Sequence, residues 1–386
     1  MKLPLWAWIL CLLGLPLIMV HSLIDAVTLP RMLMILLAEA FIFGLFIIQK
    51  EQPFHQHSNV FLSSFLGVSL IGYLLIAGIS LSQTLSLSDG LVEWFKIFSW
   101  LGIILVSSYF LKNPKHNLAL MKASVAATLV VSLIGLAEFL VILDKLEQDK
   151  ILYTVNSTFE HKNLLATGLL LSLPFSFIVH QQSSEKLWKG LALVSVGLVL
   201  FLVLVTQSRA AWIGLGGSLF IGLILVLFSP SQRSKILKPK WIGITTILVA
   251  LAIGSTWFFS SSSDVANSPI KRVQAIFTYE DTKNEHTETI KERFMLWQNS
   301  VTMIKDHPLL GVGLGQWKIH FPKYNIENLR SEQGQVFFQR PHNDYLWIFS
   351  EIGILGGLFY ISIFLSILYA AFKVLRHHDI KKNPSY

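Results

Sequence analysis

Leu198-Val-Leu-Phe-Leu-Val-Leu-Val205 is an unbroken apolar stretch inside a longer apolar run, 188–206. Nothing in it alternates, so it lacks the two-sided pattern of a membrane β-strand, and its parent run is long enough to cross about 30 Å of hydrocarbon as a helix. The same window finds runs at 5–21, 31–49, 60–81, 91–111, 120–143, 163–180, 211–229, 241–259 and 345–372. Inside lipid only helices and closed barrels satisfy every backbone polar group. The predicted fold class is therefore all-α, a polytopic transmembrane bundle of about ten spans.

Composition agrees: 53% of the 386 residues are hydrophobic and 14% charged, far from the balance of a soluble domain. The net charge of +8 does not point to nucleic acid, because the basic residues fall in short clusters between apolar runs and form no stripe. Cys11, within the first run, is the single cysteine, which excludes a disulfide framework and a cysteine-ligated metal site. The first run is followed by His21, Ser22, Leu23, Ile24 and Asp25. That is no small-x-small cleavage site, so an uncleaved span is expected in place of a signal peptide.

Loop charges set the orientation, since Lys and Arg are retained on the cytoplasmic side. One set of connections holds Lys2; Lys50; Lys112, Lys115 and Lys122; Lys186 and Lys189; Arg233, Lys235, Lys238 and Lys240; and Lys373, Arg376, Lys381 and Lys382. The alternate connections hold fewer cations, among them Arg31, Lys96, Lys145, Lys150, Lys162 and Arg209. Both termini are then inside. The organisation expected is 1–259 as nine spans, 260–341 as an outer loop with amphipathic helices, and 342–386 as the final span with a cytoplasmic tail.

Within the outer loop, Ile290, Phe294, Trp297, Val301 and Ile304 recur at helical spacing and predict one apolar face. Thr289 and Glu292 form a capping-box pattern, although an earlier start fits equally well, and Asp306-His307-Pro308 ends the helix. Arg293 lies one turn before Trp297, where an ordinary boundary cation and a ligand are both open readings. Leu310-Gly-Val-Gly-Leu-Gly315 invites comparison with a phosphate-cradling loop, but no parallel-strand unit or Walker-type Lys accompanies it, and a plain turn is the simpler reading.

Arg340-Pro341-His342-Asn343-Asp344-Tyr345 opens the last apolar run. Pro341 or Asn343 suits a first helical turn. The positive end of that helix and Arg340 nearby would keep His342 neutral and able to accept a proton; a cap or interfacial anchor is the alternative. Thr206-Gln-Ser-Arg-Ala-Ala-Trp212 is a very short outer turn that holds Arg209 at the membrane surface, either snorkelling to lipid phosphate or binding a substrate phosphate. Phe159-Glu-His-Lys-Asn163 brings His161 and Lys162 to the same side, where each alone fits an anchor. Together, Lys162, Arg209, Arg293 and His342 suit a lipid-linked phosphate or diphosphate, which Arg grips bidentately.

At these residues the sequence resembles the O-antigen ligase and O-antigen polymerase superfamily of bacterial envelope glycosyltransferases. The resembling stretches are Ser157–Ala166, Thr206–Trp212, Arg293–Trp297 through His307–Gly315, and Pro341–Leu346 with Glu351–Gly356. They cover the C-terminal two thirds of the chain. Members of that superfamily often have more spans than the ten counted here.

The resemblance implies an integral-membrane transferase, independent of metal and cofactor, acting on a glycan carried by undecaprenyl diphosphate. The place is the bacterial inner membrane, with the active site facing the periplasm and membrane lipids around it. By matching motif, Arg209 and Arg293 hold the diphosphate and His342 activates the acceptor hydroxyl; Lys162 and Arg340 are further candidate cations for the diphosphate. The acceptor is lipid A core in a ligase, a growing glycan in an O-antigen or exopolysaccharide polymerase, or a protein side chain in an O-oligosaccharyltransferase. Attack opposite the departing diphosphate gives inversion.

Three readings from other classes stand beside it. Glu39, near the middle of the second run, would suit a transporter, or a hydrogen-bonded carboxyl within the bundle. The outer loop alone would suit an envelope scaffold. His55, His57, His286, His307, His320 and His342 show no metal-ligand spacing, and Glu285, Glu288 and Asp306 show no glycosidase pair.

Overall fold

The computed structural model describes residues 2–20, 25–143, 155–159, 161–206, 208, 211–218, 285–324, 329 and 337–382. The principal helices are α1 (Lys2–Gly14), α2 (Thr28–Ile48), α3 (Gln52–Leu62), α4 (Phe65–Ser80), α5 (Leu87–Leu111), α6 (Pro114–Leu143), α7 (Lys162–Gln182), α8 (Lys186–Thr206), α9 (Glu285–Asp306), α10 (Trp317–His320) and α11 (Asp344–Lys382). No strand occurs among the described residues. Seven of these helices are long and apolar enough to cross a membrane: α2, α4 with its 3-10 extension, α5, α6, α7, α8 and α11.

The first expected span is shorter than predicted. A 3-10 turn containing Pro16 closes α1, and the apolar helix Leu3–Leu17 measures about 22 Å at the usual helical rise. Of the runs at 211–229 and 241–259, residues 211–218 are helical and the rest lie outside the described residues. The count of ten rests on the hydropathy runs and the inside–outside sense on the loop charges.

The chain forms two compact units: Met1–Phe46 with Phe110–Tyr279 and Lys381–Tyr386, and Ile47–Tyr109 with Glu280–Ile380. In the first, α7 and α8 form an antiparallel hairpin against α6. Leu165, Leu169, Val199, Leu202 and Val203 are buried at its centre. Lipid is as apolar as these side chains, so close packing has to hold the helices together. Small buried residues permit it: Ala166, Ser176, Ala192 and Ser195, with the Ser176 hydroxyl donating to Ser195 Oγ at 3.2 Å. One end of this unit carries the Lys122–Glu185 ion pair. The opposite end carries the α1 terminus, the start of α2 and residues 155–162.

In the second unit, α11 is divided. Gly353 has φ 71° and ψ −174°, a conformation essentially restricted to glycine. The ring of Tyr345 lies 6.0 Å from Tyr360 and 6.4 Å from Phe364. In a continuous helix, residues fifteen apart are separated by about 22 Å, so the chain folds back at Gly353. Residues 344–352 form a short arm against the longer segment that follows. The expected last run, 345–372, is thus present as a folded pair, and its apolar character comes from both limbs.

The buried face of α9 differs from the predicted one. Phe294 and Val301 are exposed, whereas Glu292, Leu296, Ser300 and Met303 are buried. The helix has two apolar stripes, and the one that meets a partner wins. Leu296 and Met303 pack with Val312, Trp317 and Phe321, and Ser300 Oγ accepts the Trp317 indole N–H at 3.0 Å. The helix begins at Glu285, upstream of the Thr289–Glu292 pattern, and ends at Asp306 as expected.

Candidate functional site

His342 precedes the arm directly. Asn343 caps that arm, its side-chain oxygen accepting from the N–H groups of Tyr345 and Leu346, as the sequence suggested. His342 itself has φ 55°, a left-handed conformation that a residue with a Cβ adopts at a cost of about 1–2 kcal/mol. Such a backbone persists only where its surroundings over-determine it. Here α9 does so: the Trp297 indole N–H donates to the Pro341 carbonyl at 2.9 Å, and Arg293 stands one helical turn before Trp297.

The electrostatics follow from that placement. Burial of part of the ring, then Arg293, then Arg340, holds the His342 pKa below the ordinary imidazole value. The sequence argument reached this direction from Arg340 and the helix end; Arg293 and desolvation are the causes it lacked. The Arg340 guanidinium lies 5.1 Å above the Trp347 ring, a cation–π contact that fixes its position beside the arm. Arg293, Arg340 and His342 are all exposed to solvent, so the cluster is open to a ligand.

The second property of the cluster is its surroundings. Because the arm doubles back, Tyr345, three residues after His342, lies beside Phe364 on the longer limb. There Phe364, Leu365, Leu368 and Tyr369 are exposed apolar residues of a candidate span. The foot of the arm thus adjoins an exposed apolar surface of a candidate span.

The glycine-rich segment does not cradle a free anion. The N–H of Val312 donates to the Ser350 carbonyl and that of Gly313 to the Glu351 carbonyl. The Leu314 N–H donates to Ser80 Oγ. The N–H groups of Gly315 and Trp317 donate to the two side-chain oxygens of Glu351, at 2.8 and 2.9 Å. The acceptor this loop closes around is the chain's own Glu351, fully buried. Gln316 extends the lock: its side-chain oxygen accepts from Leu85 and Ser86 N–H, and its amide donates to the Ser86 carbonyl. The loop thus ties the top of the arm to the α4–α5 turn, while Trp297 ties its foot. A lone Glu in an apolar run was the available signal for this internal partner.

Lys162 and Arg209 belong to the other unit. Lys162 opens α7, with His161 as its cap: His161 Nδ1 accepts from the Asn163 N–H. Arg209 lies outside the described residues, between buried Ser208 and Ala211. Val155, Val205 and Ala211 share one core cluster with Leu165 and Ala166. Glu39 is buried in α2, and neither side-chain oxygen has a hydrogen-bond partner among the described residues. His307 and His320 have ring centroids 6.2 Å apart, at the far end of α9 from Arg293.

Residues 194–361 match the profile of a protein family described as O-antigen ligase. Over these residues the chain is similar to the O-antigen ligase family. The matched region runs from within α8 to within α11 and takes in Arg209, Arg293, Arg340, His342 and Glu351, and the protein is multi-pass and membrane-embedded. A further likeness is to an uncharacterized protein of Haemophilus influenzae, 22% identical over 205 residues, or 53% of this chain. The chain spans about half the length of that curated relative, 48%. Lys162 lies outside the ligase-family region, as do the residues of α1 to α7.

Proposed function

We propose that this protein is an O-antigen ligase-like glycosyltransferase of the bacterial inner membrane. It moves a glycan from undecaprenyl diphosphate to an acceptor hydroxyl of lipid A core at the periplasmic face. The observation that carries this reading is the gathering of His342, Arg293 and Arg340 at the foot of the arm, beside the lipid-facing turns of α11. A soluble nucleotide-sugar donor would not need its cations beside an exposed apolar surface, whereas a lipid-linked donor carries its phosphates next to its own lipid chain.

The chemistry asks little of the protein beyond charge and one base. The acceptor oxygen attacks the anomeric carbon, and its proton passes to His342, which is neutral at pH 7. The bond between the anomeric carbon and the phosphate oxygen breaks, and its electron pair stays on undecaprenyl diphosphate. Arg293 and Arg340 balance the growing charge where it forms. Attack from the opposite face inverts the anomeric centre. A positioned general base contributes typically 10²–10⁴-fold, which sets the loss expected when His342 is removed.

Deletion of the gene followed by analysis of envelope glycans tests this reading. Intact polymer without attachment supports the ligase. Single repeat units would assign a polymerase, and loss of glycan from protein alone would assign a protein O-oligosaccharyltransferase; both share the donor half-reaction. Glu39 is the one feature favouring a transporter. Uptake into vesicles that survives His342→Ala but not Glu39→Gln, with envelope glycans unchanged, would replace the transferase reading.

A further inference from the structure

Of the two apolar stripes on α9, one is buried and the other is open. At about 100° per residue, Phe294, Trp297 and Val301 fall within about 60° of one another around the helix. Leu296 and Met303 lie well away from them, against Val312, Trp317 and Phe321. Phe294 and Val301 are exposed, and Trp297 is partly buried, its ring 5.3 Å from that of Phe294. Single exposed apolar side chains need no explanation, but an aligned set marks a surface that meets something.

The open stripe continues into a second exposed apolar surface of the same unit. Its Trp297 end meets the foot of the arm, through the indole bond to the Pro341 carbonyl. On the arm, exposed Tyr345 lies 6.4 Å from Phe364, and Phe364, Leu365 and Leu368 are exposed on a candidate span. In a membrane-embedded protein that face of the span lies against lipid. Past Val301, at the other end of α9, Leu309 is exposed as well.

The borders of the stripe are cationic. Arg293 flanks Trp297 on one side and Lys305 flanks Phe294 on the other, and both are exposed. Beyond Lys305, exposed Gln298 and Thr302 begin the polar face. With Lys291, Glu292, Arg293, Lys305 and Asp306 along it, α9 is too charged to cross a bilayer. Aromatic and aliphatic side chains between basic ones are instead the pattern of a helix lying in the interface plane. There the cations keep their stems over apolar surface and their heads toward phosphate.

We propose that α9 is a membrane-surface helix, its open Phe294–Trp297–Val301 stripe inserted among the headgroups and upper acyl chains of the bilayer that surrounds α11. The occupant of this face is lipid, because the stripe prolongs a surface that lipid already covers and carries cations at both borders. The proposal stands apart from the transferase reading. Its consequence for the site is that Arg293 rides on a helix held by lipid on one face and by the glycine-rich loop and α10 on the other.

The test places single cysteines in full-length protein carrying Cys11→Ser, in nanodiscs of phosphatidylethanolamine and phosphatidylglycerol. Bimane is attached at Phe294→Cys and Val301→Cys on the stripe, and at Gln298→Cys and Thr302→Cys on the polar flank. All four side chains are exposed, so no replacement opens the core, and the two stripe positions report independently. Stripe labels are expected to emit at shorter wavelength, to resist aqueous iodide, and to lose intensity when the acyl chains carry bromine near the headgroup. Flank labels should be quenched by iodide and little affected by bromine. Iodide quenching of the stripe labels to the level of the flank labels would place the face in water and overturn the proposal. Shielding from both quenchers would put protein on the stripe, a further segment of this chain or a second copy, and would equally overturn it. None of these signals requires glycan transfer, so failure of the transferase reading stays distinguishable.

Discussion

His342 combines two unusual properties, a left-handed backbone and a depressed basicity, and the two have different origins. The backbone is fixed by Trp297 and by the Asn343 cap; the basicity is set by burial and by Arg293 and Arg340. A base whose pKa is lowered stays unprotonated further into acid. The acidic limb of kcat/KM is therefore expected below about pH 6.5, the ordinary imidazole value. Arg340→Gln removes one of the charges that disfavour the imidazolium, so the limb should move up toward that value, and the loss should be largest near pH 6. A pH–rate profile of the two proteins checks this; an unmoved limb would show that Arg340 does not act on the titrating group. His342→Asn tolerates the same backbone and should lose transfer without losing stability, separating chemistry from fold.

At the scale of elements, the arm and its loop form one interlocked piece. A Cβ at Gly353 would lie 2.0 Å from the Leu309 carbonyl oxygen, and its φ is 71°. One at Gly311 would lie 2.3 Å from the Glu351 backbone. Gly353→Ala is expected to cost roughly 3 kcal/mol or more, from backbone strain and clash together. Gly44→Ala, in α2 where nothing lies within 4 Å, should be neutral or mildly stabilising. Thermal unfolding in detergent distinguishes them, and equal melting temperatures would contradict the interlock.

Much of this level was not legible in the sequence. The run 345–372 announced an apolar span, but apolar character says nothing about a reversal inside it. The α9 periodicity was real, yet Phe294 and Val301 formed only one of two stripes. The choice between them came from Trp317 and Phe321, residues distant in sequence. The glycine-rich loop resembled an anion cradle because its N–H groups do converge, on a Glu that lies 36 residues further along.

For the molecule as a whole, hydropathy was the most informative signal. Seven of the ten runs predicted from hydropathy correspond to the seven long apolar helices among the described residues, because inside lipid a helix is nearly the only solution for the backbone. His342, Arg293 and Arg340 were legible as candidates from a few cations placed at the outer interface by the topology and from the family resemblance. The partners of Glu351 were not: they are backbone groups, which leave no pattern in side-chain spacing. The matched region, 194–361, holds the arm, the loop and α9.

The account stands on His342 acting as the base for transfer from a lipid-linked diphosphate. Its most direct test uses purified full-length protein in nanodiscs with a lipid-diphosphate glycan and an acceptor saccharide, following release of the lipid diphosphate. Wild-type protein should release it in step with glycan transfer. His342→Ala should bind the donor with near wild-type affinity and release at least about 100-fold more slowly. Release at the wild-type rate from His342→Ala, or no release from either protein, would contradict the account.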